Sequence, residues 1–291
     1  MKAFTRASEL KPESVNTYYE IASIQQIIGM YEDAKTNYAK AIKLDPNYVL
    51  ALHGLGTCFY DHSQVYIENS EFGQAAENLK KSLTIAYKGI SSHHEIQSWW
   101  KLINDACCSM KFIQKYVWVC FPIIHSIYLK VKELMKDGNL DSIALLKPLE
   151  NEYGPLIIAK NQAYNKELEE NNELSTDLVF FMTSIILQYS ILINKFDESF
   201  VLADYIHNLS LSIYLIYDIR SQNEYLDAEI IKGNEKILDI AVKLLKIAIK
   251  IDPNNEFYWN SMGIFLVKQP KYSQHSFIKG LNINPKVILN L

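Results

Sequence analysis

Apolar and small side chains recur three and four positions apart at Tyr18, Ile21 and Ala22, and again at Ala34, Tyr38 and Ala41. This spacing predicts two short amphipathic helices with a turn around Gly29-Met30-Tyr31. Small residues stand where the helices must close, and Pro46 stops the second one. The pattern repeats within the chain, since Phe4, Ala7, Leu10 and Pro12 return 34 positions later as Tyr38, Ala41, Leu44 and Pro46. An aromatic residue or leucine stands eight positions before a proline four times: Phe4/Pro12, Tyr38/Pro46, Leu245/Pro253 and Phe277/Pro285. A fixed period in a helical context predicts stacked helix pairs that share a continuous core.

That period and those small positions resemble a tetratricopeptide (TPR) unit. The fold expected is all-α, a TPR-type α-solenoid: a right-handed superhelix of antiparallel helix pairs with a divergent helical middle. Residues 1–12 match the second half of a unit, 15–48 a complete unit, 49–88 a second and 97–114 the start of a third. In the second unit Leu52, Leu55, Gly56 and Phe59, then Phe72, Ala75, Leu79 and Leu83, hold register. Its halves stand seven residues further apart than usual, so Asp61–Ser70 forms a longer first helix or a loop, and Tyr87 replaces the closing proline. In the third, Trp100, Ile103 and Asn104 take the places of Trp, Leu and Gly, and Asn104 implies a looser helix fit.

Residues 115–223 lose the register but keep helical periodicity, at Ile124, Ile127, Tyr128 and Val131; at Leu145, Leu149 and Leu156; and at Phe180, Ile185 and Leu192. Breaks are expected at Asp137-Gly138-Asn139 and Tyr153-Gly154-Pro155, and the charged run Glu167–Glu173 is expected to be a solvated loop. Residues 224–291 return to register through Ala241, Leu245, Ala248 and Pro253, then Trp259, Met262, Gly263, Phe277, Leu281 and Pro285, with a turn two residues short. A half-unit at the start and KVILNL at the end read as a fragment of a longer array.

Composition removes several classes of function. The formal charge of -4 is spread along the chain and forms no basic patch for nucleic acid. Cys58, Cys107, Cys108 and Cys120 form no CxxC pair, and with no secretory leader they read as reduced thiols of the cytosol or nucleus. Leu178–Ile193 is uncharged but falls short of the roughly 20 residues of a spanning helix and carries Thr183, Ser184, Gln188 and Ser190. Tyr116–Leu129 is interrupted by Pro122 and His125. Both are expected to be buried helices, so no membrane is implied.

No residue set supports chemistry. His93-His94-Glu95 is a possible metal pair by type, but adjacent helical positions point about 100° apart, no second ligand cluster exists, and an exposed helix start is the better reading. Cys107-Cys108 face different ways on a helix and are expected to pack. No phosphate-binding glycine pattern or nucleophile elbow occurs. Catalytic, cofactor-binding and metal residues are therefore expected to be none. The inward positions of successive first helices are Asn16, Tyr19, Ser23 and Gln26, then Leu50, His53 and Thr57. They lack the Lys/Asn clamp with which chaperone-binding TPR domains hold a C-terminal carboxylate.

Two segments go beyond a generic repeat. WKLINDAC at Trp100–Cys107, and WNSMG with SQHSFIK between Trp259 and Lys279, resemble the large TPR scaffold subunit of the superkiller (SKI) complex. That family carries WKLLGDAC-like and WNALG…AQHCFIK segments in the same order. The resemblance implies a scaffold that is not an enzyme and holds an RNA helicase and WD-repeat propeller subunits. Through them it serves cytoplasmic exosome-dependent mRNA decay, without itself binding nucleic acid. The rival readings are a generic TPR adaptor in another assembly, the repeat region of an enzyme, and an RNA-binding solenoid, the last disfavoured by the charge.

Overall fold

The computed structural model describes residues 14–138, 140, 144–167, 176–193, 199–222 and 228–285. Among these residues every regular element is helical. The architecture is a TPR-type array of helix pairs in two compact units, Met1–Lys130 and Val131–Leu291.

The first unit contains α1 (Val15–Ile27), α2 (Tyr31–Leu44), α3 (Val49–Glu68), α4 (Phe72–Ser92) and α5 (Gln97–Ser109). A 3₁₀ helix (Met110–Cys120) then leads into α6 (Phe121–Asp137). Ser14 caps α1, its side chain accepting the Thr17 N–H at 3.3 Å. At the other end Gly29 takes φ 79°, and the N–H groups of Gly29 and Met30 reach back to the carbonyls of Gln26 and Gln25. That is a Schellman turn, which glycine adopts without steric cost. Ser70 makes the corresponding turn after α3 with φ 61°, where a side chain costs roughly 1–2 kcal/mol. The pair α1–α2 closes on Ala22, Ala34, Tyr38 and Ala41, each at most 2% exposed. Asp45 and Asp252 accept the N–H two residues on, at 3.0 and 3.2 Å, so both Asp-Pro-Asn segments end their units in the same Asx turn.

The seven extra residues of the second unit lengthen α3 to 20 residues and make no loop. With no proline at Tyr87, α4 runs on to Ser92. His93, His94 and Glu95 follow it in the turn before α5, which corrects their placement at a helix start. The third pair has no second α-helix. In its place stand two short 3₁₀ stretches that meet at a kink at Ile113 (φ -111°, ψ 27°), with Met110, Ile113, Val117, Val119 and Cys120 buried.

The second unit holds a short 3₁₀ turn (Ala144–Leu146), α7 (Lys147–Glu167), α8 (Thr176–Ile193), α9 (Ser199–Ser221), α10 (Ala228–Ile251), α11 (Glu256–Phe265) and α12 (Pro270–Ile283). The break expected at Tyr153-Gly154-Pro155 does not occur, because α7 passes through Pro155. The proline forfeits one backbone hydrogen bond, but Tyr153 beside it is anchored. Its ring stacks on Phe181 at 4.8 Å and its hydroxyl donates to Asp177 at 2.8 Å. Ile157, 5% exposed, takes the inward position expected of Leu156, which is 47% exposed. Arg220 from α9 binds Glu152 and Asp177 and lies over the Tyr153 ring, tying α7, α8 and α9 together.

All thirteen residues from Leu178 to Ser190 are buried, the polar Thr183, Ser184, Gln188 and Ser190 among them, so α8 is a core helix covered on every side. By length and composition three helical runs suffice to cross a membrane: Gln97–Asp137, Thr176–Ile193 and Ser199–Ser221. In the fold, 72% of the apolar stretch of α8 is already covered by protein. The short turn before α12 ends in Pro270 at the first helical position, where its missing N–H costs nothing. The expectations for residues 1–12, Asn139, 168–173 and 286–291, and for the Leu145 side chain, lie outside the described residues.

Candidate interaction surface

The inward positions join one unit to the next. Gln26 on α1 donates to Thr57 Oγ1 at 3.3 Å and to Asp61 Oδ2 at 2.7 Å on α3, and accepts from the Tyr38 hydroxyl at 2.9 Å. Tyr19 packs on Tyr38 and edge-on against Tyr48, whose hydroxyl donates to Asn16. His53 lies 3.4 Å from the Ser98 carbonyl and edge-on to Trp99. Gln26, Tyr19, Asn16 and His53 are therefore struts between neighbouring elements, whereas Leu50 is exposed.

A groove of about 690 Å³ lined by α2, α3 and α4 was not visible in the sequence. Its centre is Phe59 on α3, with Lys35 Nζ at 4.7 Å and Lys81 Nζ at 5.5 Å from the ring centre. Lys35 is held from three sides by Glu32 Oε1 (2.9 Å), His62 Nδ1 (2.7 Å) and Asn78 Oδ1 (3.2 Å). An ammonium only donates, so His62 Nδ1 accepts and the imidazole is neutral. The one signal of this groove in the sequence is the i,i+3 pair Glu32–Lys35. Glu77 and Gln74 complete a polar rim around a cation–aromatic centre. The arrangement can grip a chain but carries no nucleophile.

Burial, followed by the nearby Lys35 charge, pushes the His62 pKa down, and burial does the same at His53. Above pH about 6.5 both are neutral, folded or unfolded. Below it the unfolded chain takes up protons first, so stability falls with pH, by at most about 1.4 kcal/mol per histidine per pH step. Glu32, held low by Lys35, loses its contribution only below the ordinary carboxylate range. Thermal melts followed by circular dichroism should therefore show a lower Tm at pH 5.5 than at 7.5. The drop should shrink in His62→Gln, which keeps an acceptor for Lys35; an equal drop would refute the assignment.

Cys58, Cys107 and Cys120 are buried and Cys108 is half-buried. Burial pushes Cys58 and Cys120 up to about 12 and Cys107 well above the usual thiol value. Among the described residues no group of three His, Cys, Asp or Glu is placed to hold a metal ion.

The two segments with the sequence resemblance share a structural device. Trp100 Nε1 donates to the His94 carbonyl at 2.7 Å, and Trp259 Nε1 donates to the Pro253 carbonyl at 2.8 Å. Each indole thus reaches six residues back and latches the turn that enters its helix pair.

Paired helices, Asx-turn endings and side-chain struts define a TPR-type solenoid protein. The tetratricopeptide repeat family matches residues 15–48. Over most of its length the chain is similar to superkiller complex protein 3 of Homo sapiens, at 26% identity over 265 residues, 91% of this chain and 14% of that protein. Superkiller complex protein 3 of Mus musculus is 35% identical over 107 residues, 37% of this chain and 7% of its own length. Superkiller protein 3 of Schizosaccharomyces pombe is 23% identical over 281 residues, 94% of this chain and 18% of its own length. The chain spans less than a fifth of each of these relatives.

Proposed function

We propose that the chain is a section of a superkiller-type TPR scaffold without catalytic activity, acting in the cytoplasm. Its partners in this reading are a superkiller-type RNA helicase and a WD-repeat subunit, and through them the exosome, in 3′–5′ mRNA decay. The observation that carries the reading is the similarity to human superkiller complex protein 3 across 91% of the chain. The structure is compatible with it in physical terms: the helix pairs offer grooves suited to extended segments of other proteins.

Affinity purification of the tagged protein from cytosol, followed by mass spectrometry, tests it. Recovery of the helicase, the WD-repeat subunit and exosome subunits is the expected result. Recovery of a different assembly in their place would replace the mRNA-decay role with that of a general TPR adaptor.

A further inference from the structure

A second cleft, of about 480 Å³, lies in the second unit along α10, between the end of α9 and the turn after α11. Asn234 lines it, is only 3% exposed, and has no hydrogen-bond partner among the described residues for either Oδ1 or Nδ2. Buried polar groups are almost always paired, so an orphaned carboxamide in a cleft wall marks a place for a ligand. The amide presents an acceptor and donors side by side. That pattern is complementary to the N–H and C=O of one residue in an extended peptide.

The rest of the cleft fits the same occupant. Glu235 and Lys246 line it eleven residues apart on α10, about 16 Å along a helix, the length of about five extended residues. The cations lining the cleft are Lys246 and Lys268, the latter 5.5 Å from the Tyr217 ring centre, and Asp239, a second carboxylate of the lining, is neutralised by Lys243 at 2.6 Å. Val242 and Leu238 supply an apolar floor between the charges. Glu235, next to Asn234, disfavours an acidic side chain at the clasped residue and places it towards Lys246.

We propose that this cleft binds an extended acidic segment of a partner protein, with Asn234 clasping its main chain and Lys246 and Lys268 meeting a carboxylate. The site is independent of the superkiller assignment, because a chain that captures no superkiller subunit would still bind the peptide.

The test selects a phage-displayed random heptapeptide library on the full 291-residue chain and titrates the synthesised winners by fluorescence anisotropy. Peptides with Asp or Glu towards one end are expected. Asn234→Leu should weaken them by about tenfold or more while raising Tm by about 2–4 °C, because it removes a buried unpaired amide. A group that only supports the fold would not show that opposition. Methylation of the clasped peptide nitrogen should abolish binding. If Asn234→Leu does not fold, the surface variants Lys246→Glu and Lys268→Glu should still weaken the peptides. Failure to enrich any peptide, or winners that bind the Asn234 and lysine variants undiminished, would overturn the proposal.

Discussion

Gly89→Val is expected to destabilise the chain by about 3 kcal/mol, the upper part of the range for overpacked cores, and to lower Tm by several degrees. A Cβ at Gly89 on α4 would stand 2.2 Å from Cε2 and 2.3 Å from Cδ2 of Trp99 on α5. Those are ring-fusion atoms of an indole that is 1% exposed, and they cannot swing aside as a flexible side-chain end would. The gain in helix propensity on replacing glycine is at most about 1 kcal/mol, so the clash decides the sign. Gly154, in α7, is the control, because a Cβ there meets nothing within 4 Å. Gly154→Ala should be neutral or slightly stabilising. Circular dichroism melts of the two variants check the contrast, and an unchanged Tm in Gly89→Val would mean that α4 and α5 separate at little cost.

Trp100→Ala should cost about 3–5 kcal/mol, as expected for emptying a buried aromatic site. The side chain is fully buried, and its indole N–H also holds the His94 carbonyl across the turn. Trp100→Phe separates the two contributions: it keeps most of the packing and loses the latch, a net of about 0.5–1.5 kcal/mol. Trp259 makes the same latch from a half-buried position, so Trp259→Ala should cost less than Trp100→Ala. Equal losses for the two alanine variants, read by urea unfolding, would show that the hydrogen bond outweighs the packing.

These positions also mark how far the sequence could be read. The spacing of small and aromatic positions placed Ala22, Ala34, Tyr38 and Ala41 in the core, because small residues are the physical condition for two helices to close. A start near Gln97 for α5 was legible from a different signal, Trp100 and Ile103 falling at repeat positions. Tyr153-Gly154-Pro155 was misread because local propensity says nothing of the Asp177 and Phe181 contacts that hold the helix through the proline. The 3₁₀ segment left no signal in the sequence, because Met110, Ile113, Val117 and Cys120 mix spacings of three and four as an α-helix would. The grooves were invisible for a different reason: Lys35, Phe59 and Lys81 come from three helices, and only packing brings them together. Asn234 looked like any polar residue of a charged helix, because orphaned hydrogen-bonding capacity is a property of the packed state alone.

The segment between α5 and α6 bends at Ile113. With φ -111° and ψ 27° that residue lies outside helical backbone space, so Met110–Cys120 is two short 3₁₀ stretches meeting at a corner and not one rod. Each stretch rises about 2.0 Å per residue against about 1.5 Å in an α-helix, so both arms of the corner are drawn out. The corner seats Ile113, 1% exposed, in the core, while Phe112 and Trp118 on either side of it stay exposed.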